Sequence, residues 1–544
     1  MEFSVSYDPA DAINREESND SSDEIQGFSL LNFFDESIDW EGLEDDFSTY
    51  NWSQEFRGLD TTTMMERFNS ICLTFAEKWV PKRKRPPNAP TKRRKIPRHR
   101  KALMRKRTRL NKHYMSAKSS VKREAIFKKL VSVEKLLTKS HEDQREFEEK
   151  KAVEKIQTNP KFFFTFGRRF SKVKIGVGPL ISSAKKLITA PLEMAELLSE
   201  QYSSVFSTPA QDDIPAHELF SGNIDSDSCL HDVTFSDTEL ADAMNELTHN
   251  AAPGPDRFPA ILLRKCRHAL APPLSRIWRE SLSSGEIPDI CKSATITPIH
   301  KGKSRAVPKN YRPVALTSHL IKVFEKVVRN KLVQFLQERN LFNTTQHGFL
   351  AGRSCLSQLL SHFDRITSEL EKGNGVDIIY LDFAKAFDKV DHGITLSKIA
   401  NLGIRGSLGQ WLHSFLTNRH QSVVVQGRKS QPKPVISGVP QGSVLGPLLF
   451  LILIGDIDKD VAASFLSSFA DDTRVGKGIT SDEDVKLLQA DLNSIYKWSA
   501  ENNMTFNSDK FELLRYRSKH SRNVQLNFVY HSDNGQIIEE KLHV

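Results

Sequence analysis

The chain has 544 residues, a formal net charge of +9, 38% hydrophobic and 27% charged residues, so it can form two to four domains of ~100–200 residues each. Its five cysteines lie at least 25 residues apart, which excludes a C-x-x-C zinc motif and a dense disulfide framework and favours a reducing compartment. The longest purely apolar run, Leu448 to Ile454, has seven residues, whereas a membrane-spanning helix needs ~20. We therefore expect no membrane partner.

The positive charge is unevenly distributed. Residues 1–60 contain 17 Asp and Glu residues and only two Arg, and the first 27 of them are predicted to form a disordered acidic tail. By contrast, the 46 residues from Lys78 to Arg123 contain 20 Lys and Arg residues and no acid. Because such a block repels itself and attracts polyanions, it predicts contact with nucleic acid. The predicted contacts are Lys82, Arg83, Lys84, Arg85, Lys92, Arg93, Arg94 and Lys95.

Two other interpretations of this basic run stay open. It could be a solvated spacer, or it could be a nuclear import signal, for which residues 81–86 would be sufficient. The second interpretation favours the nucleus over the cytoplasm as the place where the protein acts.

The rest of the N-terminal half indicates helices. Aromatic residues between Phe28 and Phe56 are expected to pack, and apolar residues at helical spacing predict a long, exposed helix over 119–157. Pro191 to Phe206 predicts another helix, followed by an acidic linker at 207–232. We therefore interpret residues 28–234 as a helical, basic linker region. A capping box formed by Ser236 and Glu239 opens a helical lead-in at 235–280.

Beyond residue 256, helical patterns alternate with short strands rich in β-branched residues, which indicates mixed packing of helices on sheets. The predicted strands are Ala294 to Ile299, Val376 to Leu381, Gln421 to Gln426, Val435 to Ser437 and Ser464 to Ala470. Arg474 to Gly478 is predicted to be a turn, because it contains two glycines.

Two of the predicted strands lead directly into aspartates. Asp382 follows the second strand, and Asp471 and Asp472 follow the last one. A carboxylate at the end of an apolar strand is costly unless it is paired or binds a cation. If the strands are neighbours, Asp382 and Asp471 could bind two hard divalent ions ~3.5–4 Å apart, as in phosphoryl transfer. The simpler alternatives are a turn at the Asp-Asp pair and a helix cap at Asp382.

A glycine- and proline-rich segment, Ser437 to Pro447, lies between these aspartates in the sequence. Its glycines would let another chain approach closely, and Gln441 would offer an amide to a substrate held there.

These segments resemble, in order, the reverse transcriptases of non-LTR (LINE-type) retrotransposons. The resemblance rests on Leu381 to Asp388, Ser437 to Pro447 and Phe469 to Asp472. It extends upstream to motifs at 310–318, 346–349 and 352–354, which are similar to the fingers motifs of that family, and downstream to Asn507 to Lys510.

The resemblance implies an α+β fold: a right-hand polymerase with fingers and an antiparallel palm sheet at 281–544, after a mostly helical, partly disordered N-terminal region. It implies an RNA-directed DNA polymerase with an RNA template, a DNA primer or target and deoxynucleoside triphosphates as partners. The alternative is an inactive copy that only binds nucleic acid. The family's endonuclease and thumb are not recognised, so we interpret the domain as truncated before the thumb.

The resemblance also implies roles for individual residues. Asp382, Asp471 and Asp472 would be catalytic and would bind two Mg²⁺ ions, with Mn²⁺ as a substitute. The residues implied at the nucleotide are Arg312 on the triphosphate, Phe387 beneath the sugar, Gln441 in the pocket, Lys510 as a proton donor to pyrophosphate and Lys301 on a phosphate. For the two lysines, a solvated surface charge is the alternative.

Overall fold

The computed structural model of the protein describes residues 27–83, 98–116, 119–154, 176–208, 215–220, 229–507, 510–517, 527–529 and 540–543. The chain divides into two compact units, one formed by residues 1–84 and 177–544 and the other by residues 85–176. This division falls inside the predicted linker region 28–234. The predicted acidic tail lies outside the described residues except at Gly27, and so do Lys84, Arg85, Lys92, Arg93, Arg94 and Lys95.

Helices form the second unit and a large part of the first. In chain order they are α1 (Trp40–Thr49), α2 (Trp52–Glu55), α3 (Thr61–Trp79), α4 (Arg98–Ser116), α5 (Ser120–Glu154), α6 (Pro191–Ser203), α7 (Ala216–Phe220), α8 (Asp237–Asn245), α9 (Ala260–Lys265), α10 (Arg267–Ser284), α11 (Asp289–Lys292), α12 (His319–Glu338), α13 (Cys355–Glu371), α14 (His392–Asn401), α15 (Gly406–Leu416), α16 (Gly446–Ile454) and α17 (Asp482–Glu501). The second unit consists of α4 and α5. Within the described part of the chain, none of these helices could span a membrane.

The strands form two larger sheets and one small ribbon. They are β1 (Leu180–Ile181), β2 (Leu187–Ile188), β3 (Ser293–His300), β4 (Tyr311–Leu316), β5 (Gly375–Leu381), β6 (Arg419–Val425), β7 (Arg428–Lys429), β8 (Lys433–Val435), β9 (Phe465–Phe469), β10 (Asp472–Ile479), β11 (Glu512–Tyr516) and β12 (Glu540–His543). One sheet has the order β12-β11-β5-β10-β9, and the other has the order β4-β3-β6-β7 with β8 beside β6. In the first sheet every pair is antiparallel except β11–β12, which is parallel.

Most of the predicted elements are confirmed. Each of the five predicted strands overlaps an observed one, and the predicted helices at 119–157 and 191–206 correspond to α5 and α6. The capping box at α8 is present, because Ser236 accepts a bond from the backbone of Glu239 and Glu239 accepts one from the backbone of Ser236. The helix α5 is less exposed than expected: Leu130, Val133 and Leu137 are buried.

The predicted turn at Arg474 to Gly478 is wrong, because these residues lie within β10. The glycines there do not form a turn; Gly476 leaves room for neighbouring side chains to pack against the strand. A Cβ atom on Gly476 would overlap the side chain of Ile378 and lie 2.9 Å from the ring of Phe465. The hairpin between β9 and β10 instead turns at the two residues Ala470 and Asp471.

The β5-containing sheet is covered on both faces. Ile379, Leu381 and Val475 belong to the main hydrophobic core of the larger unit. On the other face, Val376 and Ile378 pack with Ile366 from α13. Helices on both sides therefore fix the position of the strand ends.

The N-terminal aromatic residues pack, as predicted. Phe28, Phe47 and Trp52 are buried, and the Trp52 indole donates a hydrogen bond to the Phe47 carbonyl at 2.9 Å. The described basic residues Lys82 and Arg83 are close to this segment: Lys82 forms an antiparallel bridge with Leu31, and the Arg83 side chain donates to the Leu31 carbonyl at 2.8 Å. Residues 27–83 are therefore part of the larger unit's core.

The predicted linker at 207–232 contains α7, which packs on α15. Phe220 of α7 is buried, and a Cβ atom on Gly409 of α15 would lie 2.6 Å from a carbon of its ring. The backbone of Leu230 also pairs with that of Ile404. The described parts of this linker are thus attached to the larger unit.

We expect Gly409→Ala to destabilise the protein. Alanine normally stabilises a helix relative to glycine by ~1 kcal/mol, but here the methyl group would overlap the Phe220 ring, and overpacking costs typically ~1–3 kcal/mol. Urea denaturation measures the change. Gly393→Ala in α14 is the control, because an added Cβ atom would come no closer than 3.5 Å to its nearest neighbour, the Asp391 carboxylate. F220A should rescue G409A, and an unchanged denaturation midpoint for G409A would contradict the packing.

Candidate active site

The three predicted aspartates lie at one end of the β5-containing sheet. Strands β5 and β10 are antiparallel neighbours with Leu381 opposite Thr473, so Asp382 and Asp472 lie beside this pair at the same end. In the β9–β10 hairpin, Phe469 is opposite Asp472, which leaves Asp471 in the two-residue turn. The sheet register therefore brings together carboxylates that are 89 positions apart in the sequence.

The carboxylates influence one another electrostatically. Burial raises the pKa of Asp471, and the negative charges of Asp472 and Asp382 raise it further, whereas Arg312 acts in the opposite direction. Asp382 accepts a hydrogen bond from the Lys510 ammonium at 2.8 Å. Like charges held close together at a half-buried site favour the binding of a cation.

The donor set suits a hard divalent ion but is not closed around one. In the described ranges, no group of three or more His, Cys, Asp or Glu side chains is arranged to hold a metal ion. Carboxylate oxygens are nevertheless the ligands that Mg²⁺ prefers, and the pKa of Asp471 is raised by burial and, to a smaller extent, by repulsion from Asp472 and Asp382 that a bound cation would relieve. The residues therefore fit a divalent ion in their chemistry.

A pocket of about 350 Å³ opens beside these carboxylates. It collects four of the five predicted nucleotide-binding residues together with Asp471. Its lining is Lys301, Arg312, Lys385, Ala386, Phe387, Asp388, Pro440, Gln441, Gly442, Pro447 and Asp471. Lys510 does not line this pocket. Three cationic and two acidic side chains therefore line the same pocket.

Two aromatic contacts restrict Phe387, the residue predicted to lie beneath the sugar. The Phe387 ring stacks on Phe450 with a centroid distance of 4.6 Å and meets Phe349 edge-on at 6.0 Å. These contacts restrict the orientation of Phe387 in the pocket wall.

The loop that carries Gln441 is attached to the surrounding chain through its backbone. The Gln441 carbonyl accepts a bond from the Ala315 amide at 2.8 Å. Gly442 has a φ of 137° and a Cβ atom there would overlap the Ala315 carbonyl, while Gly438 has a φ of 85° and its Cβ would lie 2.7 Å from the Asp388 carbonyl. The prediction that these glycines allow a close approach is confirmed.

The side chain of Gln441 is also fixed. Its Nε2 donates to Asp388 Oδ1 at 2.6 Å. Burial raises the pKa of Asp388, against the opposing effects of this hydrogen bond and of Lys385. Asp388 therefore restricts the orientation of the Gln441 side-chain amide.

The part of the chain that contains this site matches known proteins. Residues 299–530 match the reverse transcriptase (RNA-dependent DNA polymerase) family. The chain is 31% identical over 242 residues to the probable RNA-directed DNA polymerase from transposon BS of Drosophila melanogaster, which covers 43% of this chain and 27% of that protein. It is 30% identical over 284 residues to the RNA-directed DNA polymerase from mobile element jockey of the same species, covering 50% and 31%.

The chain carries a reverse transcriptase domain of the non-LTR retrotransposon type. A third relative, the probable RNA-directed DNA polymerase from transposon X-element of Drosophila melanogaster, is 28% identical over 282 residues, or 51% of this chain. The matched part of this chain spans between 27% and 31% of the length of these three relatives.

Three residues of this reverse transcriptase domain have positions that the sequence did not indicate. Lys385 and Asp388 line the pocket. Glu325 of α12 is buried and accepts hydrogen bonds from the backbone amides of Val444 and Leu445 at 2.6 and 3.0 Å. It thus fixes the far end of the Gln441 loop. The sequence signal for this role was a single acid, Glu325, among the apolar residues of α12.

We expect Asp471→Asn to stabilise the metal-free reverse transcriptase domain at neutral pH. Because the pKa of Asp471 is raised above its ordinary value of 3.8, the folded state binds more protons than the unfolded state between the two pKa values. Wild-type stability therefore falls as pH rises through that window, and the advantage of the amide should shrink as the pH approaches 3.8. Urea denaturation in chelator measures both effects.

In a matched control, the same kind of substitution should change stability in the opposite direction. The pKa of Asp46 is lowered by its hydrogen bonds from Lys78 and Trp79, so Asp46→Asn should destabilise the chain under the same conditions. A loss of stability in D471N without metal would contradict the electrostatic description of the site.

Proposed function

We propose that this chain acts in RNA-directed DNA synthesis, transferring deoxynucleotides to the 3′-hydroxyl of a DNA primer on an RNA template. The observation that carries this proposal is that Lys301, Arg312 and Asp471 line one pocket. Cations at that position suit a triphosphate, and the acids beside them suit the ions that neutralise it.

In this proposal the β12-β11-β5-β10-β9 sheet is the palm, and the sheet containing β3 and β4 belongs to the fingers. Asp382, Asp471 and Asp472 would hold two Mg²⁺ ions, with Mn²⁺ as a substitute. When bound, the ions would activate the primer hydroxyl and neutralise charge on the triphosphate. The carboxylates themselves orient those ions at the strand ends.

The pocket residues have complementary proposed tasks. Arg312 offers planar donors to phosphate oxygens, and Lys301, whose pKa is lowered by burial and by Arg312, adds a second cation. Phe387 would exclude a 2′-hydroxyl, and its stacking on Phe450 restricts the movement of its ring. Gln441 would present its side-chain oxygen, since its side-chain nitrogen donates a hydrogen bond to Asp388.

Lys510 has a different immediate role. Its ammonium is bonded to Asp382, so it neutralises that carboxylate in the metal-free chain. We propose that the Lys510 ammonium also serves as a proton donor to the departing pyrophosphate.

Primer extension on an RNA template with Mg²⁺ and deoxynucleoside triphosphates tests the proposed activity. D382N and D471N should each reduce extension by more than about 100-fold, beyond the ~10–100-fold typical of residues that only support metal ligands. D289N is the control, because Asp289 is an exposed aspartate outside the pocket lining. Extension by D471N equal to that of the wild type would refute the polymerase proposal.

A second candidate is nucleic-acid binding without polymerisation, and α4 favours it. This helix has eight Lys and Arg residues and no acid. Arg100 and Arg107 face α5, where Arg100 bonds to Ser140 and Arg107 lies 3.4 Å from Glu134. The opposite face presents the exposed residues Lys101, Arg105, Arg109 and Lys112 at helical spacing. Among the described residues these four have no ion pair.

This exposed face of α4 is therefore a continuous basic stripe, about 16 Å long at 1.5 Å per residue. Such a stripe fits the phosphate backbone of RNA or DNA. The binding predicted for Lys82 to Lys95 in the same basic run, and the nuclear residence inferred from residues 81–86, stay predictions.

Salt-dependent binding of the full chain to single-stranded RNA tests the stripe. Replacing Lys101, Arg105, Arg109 and Lys112 by Gln should reduce the log–log salt slope by about three, since each phosphate contact contributes ~0.7 for single strands. The control replaces four exposed lysines of α5 that lie outside the acid-free basic run, Lys128, Lys129, Lys135 and Lys139, and should change the slope less. Equal slopes for both variants would contradict the assignment.

A further inference from the structure

The turn that carries Asp471 has an unusual backbone. Ala470, the residue before Asp471, has a φ of 55°, in the left-handed region that residues with a Cβ atom rarely adopt. Ala470 is only 5% exposed, so its amide and carbonyl need partners within the protein. Something must therefore hold this residue in place.

Gln346 supplies those partners. Its side-chain oxygen accepts a hydrogen bond from the Ala470 amide at 2.8 Å, and its side-chain nitrogen donates to the Ala470 carbonyl at 3.1 Å. The same oxygen accepts a second hydrogen bond, from the Gly348 amide at 2.7 Å. Gln346 is buried, and this set of bonds is directed at backbone groups.

The backbone on either side of Gln346 is joined to β9. The His347 amide donates to the Ser468 carbonyl at 2.9 Å, and the Ser468 amide donates to the Thr345 carbonyl at 3.1 Å. Gly348 permits the approach, because a Cβ atom there would overlap the Ala470 amide and lie 3.0 Å from its Cα. Residues 345–348 therefore form a strap across the turn.

We propose that Gln346 is a positioning residue that holds Ala470 in its left-handed conformation and thereby fixes the Asp471 carboxylate. This inference rests on the proposed function for the catalytic role of Asp471, but the contact with Ala470 stands independently of it. The side chain acts through the turn backbone, so its loss should alter the position of Asp471 without removing the cations of the pocket.

The experiment compares Q346A with a matched buried glutamine in the full-length chain. Gln358 is also buried and donates to Ser467 of β9 at 2.6 Å, but it does not contact the turn. Each variant is also made with A470G, because glycine adopts the left-handed conformation without strain. The four variants are Q346A, Q358A, Q346A/A470G and Q358A/A470G.

The first readout is hydrogen–deuterium exchange of peptides covering the β9–β10 turn. Q346A should increase exchange at the Ala470 amide by about tenfold or more, because that amide loses its acceptor. Q358A should not produce this local change. Equal exchange in the two variants would overturn the inference, and this result does not depend on polymerase activity.

The second readout is single-nucleotide incorporation. Q346A should lower kcat by about 100-fold, the loss expected from a displacement of ~1 Å, with little change in KM because Arg312 and Lys301 are intact. Adding A470G should raise the kcat of Q346A about tenfold and leave the kcat of Q358A unchanged. Absence of this selective rescue would overturn the proposed positioning role.

The outcomes separate the two proposals. If the wild type extends no primer, the proposed function fails, and exchange at Ala470 alone decides the Gln346 contact. If Q346A does not fold, rescue of folding by A470G supports the inference, and equal failure of both variants contradicts it.

Discussion

Repulsion among carboxylates is the constraint around which this site is organised. Asp471 is half-buried near two other aspartates, which raise its pKa along with burial. A chain that holds such charges together must supply rigid backbone and compensating cations, since unpaired charges in a poorly solvated site are costly. The Lys510 ammonium on Asp382 and the Arg312 guanidinium near Asp471 provide that compensation, and the sheet provides the rigidity. The same features create the potential that attracts divalent ions and phosphates.

The rigidity comes from close backbone contacts at a few glycines. Gly438 approaches the Asp388 carbonyl, Gly442 approaches Ala315 and Gly348 approaches Ala470. Each contact joins a segment bearing a pocket or acidic residue to a different part of the chain. Side chains then complete the connection, as Asp388 does for Gln441 and Glu325 does for the amides of Val444 and Leu445. The site is therefore held by contacts between loops as well as by the strands beneath it.

The sequence predicted the elements whose pattern is local. Strand β5 is a continuous apolar run that ends in Asp382, and the capping box of α8 is visible within four residues. Strand β4 is not among the predicted strands; it contains Pro313, which lacks an amide donor and is unfavourable within a strand. The structure places Pro313 opposite Pro298 of β3, so the two residues that cannot donate share one non-hydrogen-bonded pair. The roles of Gln346 and Glu325 depend on contacts more than a hundred positions away, which no local pattern encodes.

The positive charge of the chain is used in two physically different environments. The basic stripe of α4 is exposed, so counterions screen it and its attraction for a polyanion must weaken with salt. Lys301 and Arg312 instead line a pocket with Asp388 and Asp471, where screening is weaker and geometry limits what can bind. Sequence-independent binding of a long polyanion needs exposed positive charge, whereas selective binding of one small anion needs charge within a pocket. Net charge alone could not distinguish these uses, because the distinction lies in burial and in which acids stand opposite.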